Sequence, residues 1–395
     1  MLLLYYTIAF LIALYILFLA YVKITYTFWS RQPVFHFYNL MYWFFPPGII
    51  MHDLPEQNKY TNFTNISIKT YEQCDETDLS LFQRFLQTNF YRFKSIKYDL
   101  QLENIKPYFE GHNHPCYFGF YNIDNLLTFA KHEKTIQENK CIGVITSRPF
   151  ELILDHHKIN VYYVDYLCVD YEHRKQEIAP QLIQTYEYTQ RHANKSISIN
   201  LFKRDGKLTG IVPLTTYLTY VFDILKWKKP KKVHASYQII PINKQNIQLV
   251  TDYIYKESHT QFKCAFMPEM GNLFSLMESK NIYIYAYLQN NVILGIYFFR
   301  NTTILFEKHN MFELFASIQL CESNIYFARG FHKALFHCFN DINFKYICIE
   351  NVSHSNNIVH EIMKEHEPVL VEPSAFYLYN FAHLPIESKD VLPIY

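Results

Sequence analysis

The sequence predicts an α/β (α+β) protein of two domains with mixed sheets, preceded by a single transmembrane helix. Three observations predict this class. The chain has 395 residues, which is too long for one core of ordinary size and suits two domains. Residues 2–22 carry no charged side chain. After them, helical and strand patterns follow one another in a similar order in both halves of the chain.

Composition limits the classes of function. The formal net charge is +1, so there is no global positive field to hold nucleic acid, and no nucleic-acid partner is expected. The 34 Tyr and 34 Phe residues argue against disorder. Eight cysteines without a CxxC pair favour reduced thiols of a cytosolic protein. Abundant Ile, Asn, Lys and Tyr with few Gly resemble translation from an AT-rich genome, such as that of a large DNA virus or a protist.

Residues 1–23 are predicted to be an uncleaved membrane anchor. Their apolar run is long enough to cross a bilayer core as a helix. A cleaved signal peptide would begin with basic residues and end in a small-residue cleavage site, and neither is visible. A buried core helix is the alternative. Lys23 and Arg31 follow the run and no basic residue precedes it. The positive-inside tendency therefore predicts a single-pass membrane protein with most of the chain in the cytosol.

A second apolar stretch covers residues 35–51. It is interrupted by residues 46–48 (PPG) and is too broken to span a bilayer comfortably. Two interpretations stay open for its aromatic side chains. They could lie at the membrane interface, or they could pack on the domain that follows.

The first domain is predicted to cover residues 24–225. The predicted elements are a helix over 79–90, a strand over 141–147, a strand over 161–169 and a helix over 177–191. Pro149 is expected to end the first of these strands. Pro180 falls in the first turn of the second helix, where proline is tolerated. A strand, a loop and a helix in this order commonly build a ligand site beyond the end of the strand.

A lysine-rich segment, residues 226–232 (KWKKPKK), is predicted to link the two domains. It is expected to be solvated or to contact anionic lipid. In the second domain, over 235–395, Asn243 is expected to cap a helix, and residues 289–291 (QNN) to turn a hairpin. The further predicted elements are strands over 282–288 and 292–299, a helix over 326–339, a strand over 346–349, a helix over 358–365 and a strand over 375–381.

Residues 163–183 (YVDYLCVDYEHRKQEIAPQLI) carry the strongest functional signal. The strand edge can pair with an extended ligand that contains amide groups. The following helix start offers backbone N–H groups and a positive dipole end to an anion. Arg174 and Lys175 add positive charge there. Coenzyme A has both features, an amide-rich arm and a pyrophosphate, so the segment suits acyl-CoA.

Three motifs resemble the N-myristoyltransferases (glycylpeptide N-tetradecanoyltransferases). In that family a strand ending F-L-C-V is followed, eleven residues on, by the A-P of a helix; residues 166–169 (YLCV) and 179–180 (AP) have that spacing. Residues 141–149 (CIGVITSRP) are similar to the preceding strand of the family, and residues 28–34 (FWSRQPV) to its F-W-x-x-Q-P-V entry. The second half is similar near 236–254 and 375–381. The resemblance covers roughly residues 25–395.

The resemblance implies two fused acetyltransferase-like domains and a role for each matched residue. Backbone N–H groups of Tyr166 and Leu167 would form an oxyanion hole for the thioester carbonyl. The carboxylate of Tyr395 would be the catalytic base that takes a proton from the attacking amine. Tyr217 would contact the acceptor peptide. The implied contacts with acyl-CoA, the co-substrate, are made by Thr27, Phe28, Trp29, Tyr166, Leu167, Cys168, Val169, Arg174, Lys175, Glu177, Ile178 and Ala179.

Several positions depart from the family pattern. Asp165 stands where the family has Asn; its carboxylate could orient or deprotonate the amine, or pair with a neighbour. Residues 175–177 (KQE) replace a more basic S-K-R triplet. Residues 91–94 (YRFK) stand near the family's acidic peptide cluster, and residues 200–202 (NLF) near its Thr-Ala-Gly. These departures weaken the prediction for the peptide site more than that for acyl-CoA.

Three functions follow as hypotheses. The leading one is a membrane-anchored acyltransferase that moves a long acyl chain, such as myristoyl, from CoA to the N-terminal glycine amine of a protein. An acyltransferase of the same fold for short chains such as acetyl is the second. The third is a structural membrane protein that keeps the fold without catalysis. No metal or bound cofactor is expected, because the short cluster of His112, His114 and Cys116 lacks the distant partners that zinc needs.

Overall fold

The computed structural model describes residues 2–91, 95–129, 134–230, 234 and 236–395; for residues 125–129, 134–138, 340 and 341 it describes the main chain only. The helices are α1 Leu2–Thr25, α2 Leu40–Phe44, α3 Glu76–Asn89, α4 Leu102–Ile105, α5 Ile178–Ala193, α6 Gln248–Thr260, α7 Met270–Glu278, α8 Asn324–Asp341 and α9 Ser355–Ile362. The strands are β1 Gly48–Ile49, β2 Ile66–Thr70, β3 Ile96–Tyr98, β4 Tyr117–Phe129, β5 Lys134–Leu154, β6 His157–Val169, β7 Asn200–Asp205, β8 Thr215–Asp223, β9 Tyr237–Ile242, β10 Cys264–Pro268, β11 Ile282–Gln289, β12 Val292–Phe306, β13 His309–Gln319, β14 Tyr346–Glu350, β15 Leu370–Tyr379, β16 Phe381–Ala382 and β17 Val391–Pro393.

Fifteen of these strands form one mixed sheet. Each half contributes an antiparallel meander, β4–β5–β6 and β11–β12–β13, followed by a helix and a parallel strand. The helix α5 leads from β6 to its parallel neighbour β7, and α8 leads from β13 to β14. The two halves thus repeat the same order of elements, and the predicted α/β fold with mixed sheets is confirmed.

The sheet is continuous between the two halves of the sequence. The late strand β15 pairs with β7 on one side and with β8 on the other, and β10 pairs with β5. The predicted boundary near residues 225–235 therefore separates the halves in sequence, while their strands interleave in space. Trp227 of the predicted link is buried and its ring lies against His366. Residues 231 and 232 of this link lie outside the described residues.

Two local predictions are wrong. Pro149 does not end a strand, because β5 continues to Leu154. Its position explains this: β4 pairs with β5 only up to Ser147 and β10 only from Phe150, so neither strand lies opposite the missing N–H of Pro149. Asn243 does not cap α6, which starts at Gln248. Its side chain instead accepts a hydrogen bond from the backbone N–H of Gln245, which makes a turn.

The helix α1 could cross a membrane by its length and composition, although a signal sequence would pass the same test. Its described residues are almost all exposed, and Val22 is the buried one. The buried-helix alternative is therefore wrong, since a core helix would be covered by the rest of the protein. The helix ends a few residues before Trp29, which is part of the candidate site described next.

Candidate active site

The sheet opens between β6 and β7. The two strands are paired only through residues 162–164 and 200–202, after which no register between them continues. On its other edge, β6 has a bulge in which Tyr166 and Leu167 together lie opposite Ile145 of β5. Both residues lie just beyond the last β6 residue that pairs with β7, at the opening.

A cavity of about 580 Å³ passes through this opening. Residues of both sheet faces line it, including Tyr166, Leu167 and Tyr395. It divides into two sides of different character, named here the α5 side and the Tyr395 side. A cavity of this size and mixed polarity is typical of a small-molecule site.

The α5 side is mainly apolar. Ile145, Val164 and Ile183 belong to the core packed under α5, and Trp29 and Phe202 belong to a neighbouring cluster. At the end where β6 and β7 are paired, Glu187 and Asn200 add polar groups; the Asn200 amide donates to Glu187 over 2.6 Å. Among the described residues, Glu187 Oε1 and Asn200 Oδ1 have no hydrogen-bond partner. Burial raises the pKa of Glu187 to about 7 despite the nearby guanidinium of Arg191.

The Tyr395 side is charged. Tyr395 is 2% exposed, and its hydroxyl donates to Glu350 Oε1 over 2.7 Å. Lys203 forms an ion pair with the same carboxylate and donates to the Tyr395 hydroxyl over 3.1 Å. Arg300 pairs with Glu313 and donates from Nη1 to the main-chain oxygen of Tyr395 over 3.4 Å. These contacts fix the position of residue 395 within the cavity that Tyr166 and Leu167 also line.

Burial and the neighbouring charges act against each other on this side. Burial alone would lower the pKa of Lys203, but Asp205 and Glu350 outweigh it and raise that pKa. Burial raises the pKa of Glu350, and Lys203 opposes this effect. Groups of opposite charge in a shielded cavity interact more strongly than they would in water. An ammonium or a carboxylate of a ligand would therefore feel a strong and oriented field here.

Tyr166 and Asp165 form a tight local arrangement at the bulge. Tyr166 has a φ of 52°, a left-handed conformation that is uncommon for an aromatic residue. Its backbone N–H donates to Asp165 Oδ1 over 2.9 Å. The carboxylate that replaces the family's amide thus pairs with one of the two predicted oxyanion donors. The predicted catalytic residues Asp165, Tyr166, Leu167 and Tyr395 all line one cavity.

The predicted loop for the CoA phosphates lies outside this cavity. Arg174 donates to the backbone carbonyls of Val169 and Asn89, at 3.0 and 2.9 Å. Lys175 is exposed and has a φ of 67°. Glu177 precedes α5 in a left-handed conformation, and its side chain makes no capping hydrogen bond. The N–H groups of Ile178 and Ala179 at this helix start are not capped by that side chain, as an anion site requires.

The remaining predicted residues are mostly buried. Cys168 is 6% exposed, and burial raises the pKa of its thiol to about 12, so it is not a thiolate at neutral pH. Thr27 shares a hydrogen bond of 3.1 Å with the Tyr60 hydroxyl, and Phe28 packs edge-on against Trp29. Of these three N-terminal residues, Trp29 lines the cavity. Tyr217 is buried and does not line it.

Sequence reasoning missed the ionic cluster of the Tyr395 side. Glu313 lies between apolar residues of β13, and Glu350 ends β14 after four residues without charge. A lone carboxylate in such a position is a signal of a buried partner, because burying an unpaired charge is costly. Arg300 follows an uncharged run in β12, and Lys203 follows Phe202 in β7. Lys203 and Glu350 are 147 residues apart, and Arg300 meets Glu313 across β12 and β13, so the pairs depend on the folded chain. In the short cluster of His112, His114 and Cys116, the Cys116 thiol donates to the Phe109 carbonyl over 3.6 Å, and His112 Nδ1 lies 3.7 Å from Glu269 Oε2.

Known proteins resemble this chain in sequence and in fold. A family model, "Myristoyl-CoA:protein N-myristoyltransferase, N-terminal domain", matches residues 128–213, which include β6, the loop and α5. That family consists of acyl-CoA-dependent N-acyltransferases, the class of enzyme predicted from the sequence. No curated protein matches the whole sequence significantly.

Solved structures match over nearly the whole chain. One Saccharomyces cerevisiae N-myristoyltransferase with bound myristoyl-CoA has a TM-score of 0.68 at 13% identity, and the match covers 92% of this chain and 94% of that one. A second structure of the yeast enzyme with myristoyl-CoA has a TM-score of 0.69 at 14% identity, covering 92% and 90%. These matches give no support to a viral origin. The predicted resemblance is confirmed: residues 128–213 match the N-terminal domain of the N-myristoyltransferase family, and the chain has the N-myristoyltransferase fold.

Proposed function

We propose that this chain is a membrane-anchored acyltransferase that transfers a long acyl chain, myristoyl in the first instance, from CoA to the N-terminal glycine amine of a protein. The observation that carries the proposal is the cavity through the open β6–β7 edge. One side is apolar and suits an acyl chain, and the other side is charged and suits an amine. The matched structures of the yeast enzyme contain myristoyl-CoA, which supports the same co-substrate here.

The proposed reaction follows from the groups around the opening. The thioester carbonyl lies at the bulge, where the N–H of Leu167, and that of Tyr166 once Asp165 releases it, stabilise the developing oxyanion. The carboxylate of Tyr395, held by Arg300, takes one proton from the glycine ammonium. The free amine attacks the carbonyl carbon and forms the C–N bond. The C–S bond then breaks, and the CoA sulfur leaves with the second proton of the nitrogen.

The CoA moiety is proposed to bind along the loop and the start of α5. Backbone N–H groups of Ile178 and Ala179 would face the pyrophosphate, with Lys175 as the exposed cation. Glu177 adds an unfavourable negative charge. Removing it, as in Glu177→Gln, is therefore expected to lower the KM for acyl-CoA without changing kcat.

The direct test uses the full chain in lipid nanodiscs with myristoyl-CoA and a glycyl peptide. We expect release of CoA thiol and a peptide mass increase of one myristoyl group. The same peptide with an acetylated N-terminus is the matched control and should release no thiol. A series of acyl-CoA chain lengths separates the long-chain enzyme from the short-chain alternative. No release with any chain length would contradict the proposed function.

A second candidate function is a fold kept without catalysis. It is favoured by one observation, the hydrogen bond from the Tyr166 N–H to Asp165, because a carboxylate at this position repels an oxyanion. The variant Asp165→Asn distinguishes three roles. If the charge only obstructs the oxyanion hole, turnover rises by about tenfold, which corresponds to about 1.4 kcal/mol in the barrier. If Asp165 acts as a base, turnover falls. If neither form turns over, the inactive fold is supported.

The orientation in the membrane is also a proposal. Lys23 and Arg31 on the C-terminal side of α1 support a cytosolic location for the rest of the chain. The chain contains Asn-x-Ser/Thr triplets, for example at Asn194, which is only partly buried. Synthesis with microsomes should therefore leave the protein without glycans, and a mass increase removed by a glycosidase would reverse the proposed orientation.

A further inference from the structure

A compact group of large apolar side chains is exposed beside α1. Phe37, Leu40, Met41, Trp43, Phe44 and Phe45 are each between 39% and 75% exposed. We name them the 37–45 surface. A soluble face rarely leaves so many neighbouring large apolar groups in water, because each exposed group costs free energy that burial would recover. No Asp, Glu, Lys or Arg occurs between Arg31 and Asp53, so the region is also free of formal charge apart from any protonated histidine.

The 37–45 surface is held in one shape by the protein below it. The N–H of Phe37 donates to the carbonyl of Gly210 over 3.1 Å, and the N–H of Val212 donates to the carbonyl of Phe35 over 2.7 Å. Phe35 is 2% exposed and packs with Val212 and Ala382. The segment is therefore anchored to the domain and presents its apolar side chains outward from a fixed base.

Several polar groups of the segment are hydrogen-bonded within it. The indole N–H of Trp43 donates to the Phe37 carbonyl over 3.0 Å. The N–H of Phe45 donates to the Met41 carbonyl over 2.8 Å. Groups that are already hydrogen-bonded need not lose water partners when the surface enters an apolar medium, so the usual penalty for burying backbone is reduced.

Contacts with α1 set the depth of the surface. The Tyr15 hydroxyl donates to the Tyr38 carbonyl over 2.9 Å. The Phe18 ring lies edge-on to the rings of Phe37 and Tyr38, with centroids 6.1 and 6.3 Å apart. Phe18 stands seven residues before Thr25, the last residue of α1, which corresponds to about 10 Å of helix. A bilayer that contains α1 would therefore also reach the 37–45 surface.

We propose that the 37–45 surface enters the same leaflet as the C-terminal part of α1 and binds lipid, so that the catalytic domain lies on the membrane in one orientation. The proposal rests on the anchoring part of the proposed function. The occupant is a bilayer because the surface lies against α1, is apolar, lacks formally charged residues and has several of its polar groups hydrogen-bonded within the protein. Apolar faces of this kind typically lie about 5–10 Å deep, at the boundary of headgroups and acyl chains.

The test measures the fluorescence of Trp43 in the full chain. The protein is placed in nanodiscs at one copy per disc, with phosphatidylcholine brominated either near the carbonyl or near the chain end. The Trp43 signal is the difference between the wild type and Trp43→Phe. We expect a loss of this signal with shallow bromines, a smaller loss with deep ones, and none in discs without bromine. Trp227 is buried in the domain and contributes an unquenched background.

The roles of the 37–45 surface and of α1 can be tested independently. The double change Phe44→Ser with Phe45→Ser should reduce the quenching of Trp43, whereas Leu249→Ser, at an exposed apolar position on α6, should leave it unchanged. Equal emission of Trp43 in brominated and plain discs would overturn the proposal and would favour a second copy of the chain as the occupant in solution. Extraction by alkaline carbonate tests separately whether α1 spans the membrane. If the chain is extracted although Trp43 was quenched before the extraction, the 37–45 surface binds lipid but α1 does not cross the bilayer.

Discussion

The two crossover units of the molecule, β6–α5–β7 and β13–α8–β14, share one plan and differ in how it is filled. In the first, the parallel strands part after Val164 and a cavity enters the gap. In the second, β13 and β14 stay paired from Met311 to Leu314. Phe327 and Phe331 of α8 are fully buried against the meander. The same element order therefore gives an opening in one half and a packed core in the other.

The residues that precede α5 and α8 also differ between the two units. Glu177 precedes α5 with a φ of 58° and no capping hydrogen bond from its side chain. Ser323 precedes α8 and accepts a hydrogen bond from the N–H of Tyr326 through its side chain. An uncapped helix start and a left-handed strand residue are each unfavourable alone. In the β6–α5–β7 unit both features lie within the segment that is proposed to bind acyl-CoA.

The largest effect on stability is expected when a methyl group is added to the packed core of the second half. A Cβ on Gly330 would lie 2.3 Å from the Tyr297 hydroxyl and 2.5 Å from the Tyr287 ring. Gly330→Ala should therefore lower the free energy of unfolding by about 3 kcal/mol. At Gly143, in the open half, the nearest atoms would be at 3.5 Å, so Gly143→Ala is the matched control and should be close to neutral. Urea unfolding of both variants checks this, and equal losses would contradict the comparison.

The next effect concerns Glu187, at the paired end of the open half. Its pKa is about 7 in the folded protein, against about 4.3 when unfolded. Between these values the folded state holds a proton that the unfolded state has released, so this group lowers stability as pH rises through the window. Glu187→Gln cannot titrate. The free energy of unfolding of Glu187→Gln, relative to that of the wild type, should therefore increase by about 3 kcal/mol from pH 4 to pH 8.

The comparison between variant and wild type at each pH is essential for this measurement. Burial lowers the pKa of His112, His332 and His354 to about 4, and these groups add stability as pH rises. They act in the opposite direction but are present in both proteins, so they cancel in the difference. A difference that does not change with pH would show that folding does not raise the pKa of Glu187.

The smallest effects are expected at the helix starts themselves. Ser323→Ala removes the cap of α8 and should lower the free energy of unfolding by about 1 kcal/mol. Glu177 precedes α5 in a left-handed conformation, which glycine adopts without strain. Glu177→Gly should therefore raise the free energy of unfolding by about 0.5–1 kcal/mol. The midpoint temperatures of thermal unfolding of the two variants should therefore shift in opposite directions from that of the wild type. Shifts of the same sign would mean that both helix starts serve the fold alone.

The sequence was sufficient where patterns are local. The helix predicted over 79–90 is α3, and the hairpin turn at Asn290 and Asn291 has the positive φ angles, 48° and 65°, that a two-residue turn needs. The segment 163–183 was also recognised correctly as a strand, a loop and a helix. Periodicity, turn chemistry and a motif each depend on residues within one short window, which is why they can be read directly.

The rest depends on partners that are distant in sequence. A strand can continue through Pro149 only because its neighbours β4 and β10 leave that position unpaired. The pairing of Lys203 with Glu350 joins strands of both halves, and Arg300 meets Glu313 only because β12 and β13 pair in that register. The hydrogen bond between Asp165 and Tyr166 is local, yet it needs the bulge in β6, which only the register with β5 defines. None of these can be inferred from one window of sequence.

The position of β15 has a consequence for how the protein is made. This strand, Leu370–Tyr379, lies between β7 and β8, which leave the ribosome about 150 residues earlier. The nascent chain must therefore keep two strand edges of its first half unpaired until nearly all of it has been translated. An exposed edge is a site for wrong pairing. Chaperone binding during synthesis, or tethering of the emerging chain by α1, would protect the unpaired edges of β7 and β8 until β15 has been synthesised.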